Sequence, residues 1–419
     1  MASGESLLVE SSGHEPGLTR RKARVVRRWI SLIALAVGIF ALITIEELPI
    51  GVLSVMAPDL GVSEGIAGLT VTIPGVLAGV VAVATPVIVR GLDRRLVLAL
   101  ALLCVAISCG LSVIALNFAM LLVARLFAGV AIGLYWAVLP IVAVAQMPEN
   151  AARALTVAFG GVGAALVLGV PVAAWIGAHL GWRAAFAVTG TVAVLVALVI
   201  TVIVTPARSS VPVTPRMMLT AARTRGVRHA LALTALVITA QFITYSFISP
   251  LLIDRAEVPL GQISLMLLGF GIAGLIGNFA VGAIIRRSAP AGVLTIVTGM
   301  LVSLLGLLLV VRDPASALAV VTIWGLFAGA ASVTIQSFVG TEASEVVEEG
   351  TALNSAAFNA SIAVGALIGG QILDAAGYGA MVSTSILMLA VAVIVIARYM
   401  LTTPATASTA APEAADVSA

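Results

Sequence analysis

Apolar residues run along this chain in twelve long stretches between Trp29 and Met400, broken by short polar segments. A hydrocarbon core about 30 Å thick is crossed by about 20 apolar residues of α-helix, so each stretch is predicted to span a membrane. The predicted spans are 31–55, 65–89, 95–115, 119–145, 153–177 and 184–205, then 229–253, 261–285, 290–311, 316–340, 351–374 and 379–400. With no water in that core, each segment must satisfy its own backbone donors and acceptors. The pattern therefore predicts an all-α integral membrane fold with twelve transmembrane helices in two six-helix bundles.

The polar segments divide the chain further. Residues 1–28 are expected to form a disordered basic arm, 29–205 a first bundle, 206–228 a linker, 229–400 a second bundle and 401–419 a disordered tail. The apolar run after the basic arm continues for about 25 residues without a small-residue cleavage site, which makes it a span rather than a signal peptide. In the linker, Arg208, Arg216, Arg223, Arg225 and Arg228 surround Met217, Met218 and Leu219, a mixture suited to a membrane surface.

Composition agrees with the pattern: charged residues make up 10% of the chain, against about 25% in soluble domains. Basic residues cluster in the arm and between spans, so the net charge of +3 describes membrane topology and not a nucleic-acid surface. Assigning the N-terminus to the cytoplasm puts 18 Lys and Arg on that side and three (Arg183, Arg255 and Arg312) on the other, with Arg125 inside a span. That bias predicts both termini in the cytoplasm. Cys104 and Cys109 are five apart on one predicted helix, about 8 Å between Cα atoms, too far for a disulfide.

The two sets of six resemble each other. "RLFAG" at 125–129 recurs as "GLFAG" at 325–329. "GVPVAAWIGAHLGW" at 169–182 aligns with "GALIGGQILDAAGY" at 365–378 at an offset of 196, which also relates Arg90 to Arg286. Parallel halves of this kind hold a substrate between them near the bilayer midplane.

Three stretches carry a resemblance to a known family: "IEELPIGVLSVMAPDLGVS" at 45–63, "RLFAGVAIG" at 125–133 and "GVGAALVLGVPVAAWIGAHLGWRAAF" at 161–186. They are similar to the span-one, span-four and span-five motifs of the major facilitator superfamily. The nearest pattern is that of its twelve-span drug:proton antiporter family, in the arabinose and sugar-efflux-like branch. The loop after span two departs from the family's pattern. It reads "PVIVRGLDRR", with Arg90 at the position of the usual Asp and only Arg94 and Arg95 matching. Pro49 and Gly51 in span one, and Gly169, Pro171 and Gly177 in span five, are expected to serve backbone mechanics. The resemblance implies that the span-five group gates the antiport, and Arg94 and Arg95 are candidate gating residues beside it. Close packing explains the same glycines.

Three ionisable residues fall inside the predicted spans away from their ends: Glu46, Glu47 and Arg125. Each is expensive there and marks a candidate functional site. The family arrangement sets spans one and four beside a central cavity. Burial raises a carboxyl pKa and a nearby guanidinium lowers it, so Glu46 is expected to carry a proton with Arg125 as its electrostatic partner. A static ion pair remains the alternative. Glu47, about 100° around the helix, is left between structural, exposed and coupling roles. Asp59 is expected to cap the loop before span two.

Tyr135, Trp136, Gln241, Tyr245, Asn278, Gln336, Asn354 and Asn359 are candidate substrate contacts, neutral and partly aromatic, although such groups also serve as interhelical glue. They suit a neutral or amphipathic small molecule. The sequence shows no phosphate-cradling loop, no metal-ligand cluster and no nucleophile motif, so no cofactor, metal or enzymatic activity is expected.

The leading expectation is a proton-coupled exporter of drug, sugar or nucleoside type whose partners are its substrate, protons and lipid. The architecture can work as a monomer. A facilitator or importer is the alternative, and a non-transporting sensor or scaffold the reading of another class.

Overall fold

The computed structural model describes residues 16–89, 91–207 and 215–402, and these are helical almost throughout, with no strand among them. Eleven helices are long and apolar enough to cross a bilayer. In order, the first ten are Val25–Asp59, Glu64–Thr85, Arg94–Val113, Phe118–Gln146, Pro148–Leu180, Trp182–Ile203, Arg225–Tyr245, Leu260–Ile285, Ala289–Leu309 and Pro314–Glu342. They are called spans one to ten here. The last helix, Glu349–Thr402, has 54 residues, a length of about 80 Å and far more than one crossing needs. It breaks at Gly377, where φ is 76° and ψ 179°, a conformation open to glycine alone. The two arms are spans eleven and twelve.

One predicted boundary shifts. The first helix begins at Pro16, inside the arm expected to be disordered to residue 28. Proline is well placed in a first turn, and the basic stretch joins an existing helix, so each added residue gains a bond without a new nucleus. Residues 1–15, Arg90, 208–214 and 403–419, and with them the expectations for the outer arm, Arg90, Arg208 and the tail, lie outside the described residues. The linker contains a helix of its own, Pro215–Arg223, packed against span seven and the last helix.

The two halves repeat each other in their packing. Span two lies on four and eight on ten, three on four and nine on ten. A Cβ built on Gly129 would come within 2.9 Å of Pro74, and one on Gly325 within 2.7 Å of Phe270, both pairs related by 196. Gly133 against Ala78 and Gly329 against Gly274 keep the same offset. This register corrects one detail, because "RLFAG" and "GLFAG" match at an offset of 200, one helical turn out of step. The halves meet through the same symmetry: Gly75 of span two faces Ala363 of span eleven, and Gly271 of span eight faces Val167 of span five.

Candidate functional site

Arg125 organises the centre of the first half. It is fully buried, and its Nε donates to the carbonyl of Thr70 at 2.8 Å. Its Nη1 donates to Ile45 at 2.8 Å and its Nη2 to the backbone carbonyl of Glu46 at 3.3 Å. Proline has no N–H for the carbonyl four residues before it, so Pro49 leaves Ile45 unpaired and Pro74 leaves Thr70 unpaired. One guanidinium on span four closes both gaps, in spans one and two.

The static ion pair kept as the alternative reading is not formed. Among the described residues no salt bridge joins Arg125 to a carboxylate, because its donors are engaged by backbone oxygens.

Glu46 and Glu47 are both half-buried. The Glu46 carboxylate has no hydrogen bond among the described residues. Glu47 accepts one from the phenol of Tyr245 at 3.4 Å, and this bond crosses from span one to span seven. Span seven breaks just beyond: Tyr245 ends one helix, Ser246 and Phe247 form a turn, and Ile248–Ala256 continues the path. Pro250, which cannot bond the carbonyl of Ser246, accounts for the interruption.

Tyr245 belongs to an aromatic cluster of the second half. Its ring stacks on Phe270 with centroids 4.8 Å apart, and it meets Phe242 and Trp324 edge-on at 5.9 Å each. Phe270 and Trp324 lie 5.4 Å apart. Gln241 sits one turn before Tyr245 on the same helix face. The Gln241 Oε1 and Trp324 Nε1 atoms are buried without a hydrogen-bond partner.

The remaining sequence candidates divide. Tyr135 is fully buried, donates to the carbonyl of Leu35 at 3.0 Å and fills the space over Gly38. It joins spans four and one. Trp136, its neighbour, is half-buried against Phe159 at 5.8 Å. Asn354 donates to Gln336 at 3.2 Å and accepts from Thr234 at 2.6 Å, tying spans seven, ten and eleven together. Asn359 is half-buried and bonds the carbonyl of Ser355 in its own helix, while Asn278 is exposed on span eight.

The backbone breakers of span five lie at a junction. Pro171 leaves Val167 without its helical donor, and Ala165–Gly169 winds as a π-helical turn. Gly169 allows the Thr44 hydroxyl to approach where a Cβ would stand 2.2 Å away, and Gly271 does the same for the carbonyl of Leu166. Span five thus touches spans one and eight at one irregular point.

Hydrogen bonds between the halves, among the described residues, lie at the level of Glu47 or beyond it, toward the face opposite the linker. Ser63 and the N–H of Gly65 both donate to Asp374, at 2.7 and 3.1 Å, and Tyr378 donates to Glu64. Ser54 and Ser249 hydroxyls are 3.2 Å apart. Asp59 is no cap: it accepts from Trp182 at 3.0 Å and Arg183 at 2.6 Å, and Ser63 caps the following turn. At the linker face the bonds stay within one half. Arg94 donates to Val89 at 2.6 Å, and Arg95 pairs with Asp93 at 3.2 Å and donates to Val204.

Sequence reasoning missed Phe242, Phe270 and Trp324, and the fastening made by Glu64, Asp374 and Tyr378. Trp324 is the single tryptophan of the second half, which was the available signal. Asp374 looked like an ordinary span end.

Comparison with known proteins places this geometry. A model described as Major Facilitator Superfamily matches residues 35–347. The chain belongs to the major facilitator superfamily and is a multi-pass membrane transporter, not an enzyme. The purine ribonucleoside efflux pump NepI of Salmonella paratyphi A is 28% identical over 380 residues, covering 89% of this chain and 95% of that protein. NepI of Salmonella typhimurium is similar to the same extent. Among solved structures, the nucleoside transporter NupG superposes with a TM-score of 0.72 at 12% identity, over 90% of this chain and 99% of that one. A bacterial homolog of the human lysosomal transporter Spinster, in an inward-facing and unoccupied conformation, gives 0.66 at 14% identity, over 90% and 96%.

Proposed function

We propose that this chain exports purine nucleosides, or close analogues, across a bacterial inner membrane by proton antiport with alternating access. The observation that carries the reading is the Tyr245–Glu47 hydrogen bond, in which an aromatic side chain of one half meets an acid of the other at their boundary. The purine ribonucleoside efflux pumps that are 28% identical support this cargo class, and a neutral nucleoside suits the uncharged, aromatic surroundings of the second half.

The Lys and Arg bias assigns the linker face to the cytoplasm. The bonds around Asp374 and Tyr378 then close the outer side, and this conformation loads cargo from within. Glu46 and Glu47 exchange protons with the cavity, and Arg125 positions them by fixing the backbone that carries them. The π-helical turn at Gly169 and Pro171 and the contact at Gly271 serve as the moving joint.

Everted membrane vesicles given labelled inosine test the reading. An imposed inside-acid pH gradient is expected to drive accumulation, an uncoupler to abolish it, and Glu46→Gln to reduce it to equilibration. Accumulation by Glu46→Gln that still follows the pH gradient would remove Glu46 from the cycle. Uncoupler-insensitive equilibration by the native chain would make it a facilitator.

A further inference from the structure

We propose that Phe242, Tyr245, Phe270 and Trp324 form the subsite that holds the planar base of the cargo, with Gln241 and Trp324 reading its hydrogen-bonding edge. The inference rests on the nucleoside reading above and adds the side chains that set specificity.

The four rings come from spans seven, eight and ten, with centroids 4.8 to 5.9 Å apart. They are buried against one another, so a flat base stacks among them when its entry parts the cluster. A purely structural aromatic core has no need of polar atoms. This one holds a buried amide oxygen and a buried indole N–H, neither with a partner, and such orphans are rare and costly in native proteins. One accepts and the other donates. Together they complement an edge that carries an N–H beside a carbonyl, as in a 6-oxopurine. The polar rim of the cluster ends at Glu47, on the boundary between the halves, where an alternating-access site must lie. Entry of a base asks Tyr245 to leave Glu47, and a 3.4 Å bond is a weak tether. Cargo loading and the release of Glu47 from its donor then become one event.

The test is equilibrium binding to the full chain in lipid nanodiscs, comparing inosine with purine riboside, which lacks both the 6-carbonyl and the N1–H. The native chain is expected to prefer inosine by about tenfold, the worth of one or two good hydrogen bonds. Gln241→Met and Trp324→Phe should each lose most of that preference, whereas Phe270→Leu should weaken both ligands alike. General misfolding would not single out the preference, so the ratio separates recognition from stability. Retention of the native ratio by both Gln241→Met and Trp324→Phe overturns the subsite while leaving nucleoside transport standing. A native chain that binds neither ligand overturns both the subsite and the function on which it rests.

Discussion

An arginine in hydrocarbon needs partners for five N–H donors, and Arg125 finds three of them in backbone carbonyls, two freed by prolines. Lysine carries its charge at one point and lacks the rigid fork that reaches two helices at once. Arg125→Lys is therefore expected to cost about 1–3 kcal/mol, the usual penalty of an unmet buried acceptor, seen as a lower unfolding midpoint in detergent. Replacing Pro49 and Pro74 by alanine returns the missing N–H groups, so the same change should cost less in that background. Equal costs in the two backgrounds would disprove the proline link. The sequence marked Arg125 as costly and Pro49 as a backbone breaker, and gave Pro74 no role. It could not reveal their connection, because a proline declares a carbonyl in need without saying which distant side chain supplies it.

Helices in this molecule meet at positions without a Cβ, both within each half and at the joints between halves. A methyl on Gly271 would stand 2.2 Å from the carbonyl of Leu166, so Gly271→Ala must push span eight off the π-helical turn of span five. Transport by folded, monodisperse Gly271→Ala protein is expected to fall about tenfold or more, since a displacement of about 1 Å at a working joint is costly. Vesicle transport at matched protein levels checks this; a native rate would mean the joint does not move. Gly75, its counterpart in span two, faces only the side chain and backbone of Ala363 at 3.0 Å or more, and Gly75→Ala should be milder. Twelve spans, the broken span five and the 196-residue repeat were legible because period, proline and order survive in a single sequence. The one-turn error at "GLFAG" arose because glycine and alanine recur so often that short matches slide. The sequence also could not divide bolts from lining. Tyr135 and Trp136 are neighbours, yet one is fully buried against Leu35 and the other half-exposed, a difference set by how span four rotates against span one.

Across the whole molecule, the bonds that join the halves gather toward one face. Asp374 accepts from Ser63 and Gly65, and Tyr378 donates to Glu64, so the first loop is held to the end of span eleven by side chains from both partners. The combined Asp374→Asn and Tyr378→Phe change should shift the population toward separation on that face. Spin labels at Gly61 and Glu257, both exposed there, would report a longer distance distribution than in the native background. An unchanged distribution would show that packing alone sets the closed state.

The repeat is close in backbone and unequal in chemistry. At the 196-residue offset the counterpart of Glu46 is Phe242, that of Arg125 is Val321, and that of Trp324 is Ala128. At these positions the ionisable groups lie in one copy and the aromatic ones in the other, and under the proposed function the two bundles divide into an engine and a grip. A hybrid that keeps spans one to six and borrows spans seven to twelve from a relative with different cargo should inherit the donor's selectivity and retain this chain's fuel.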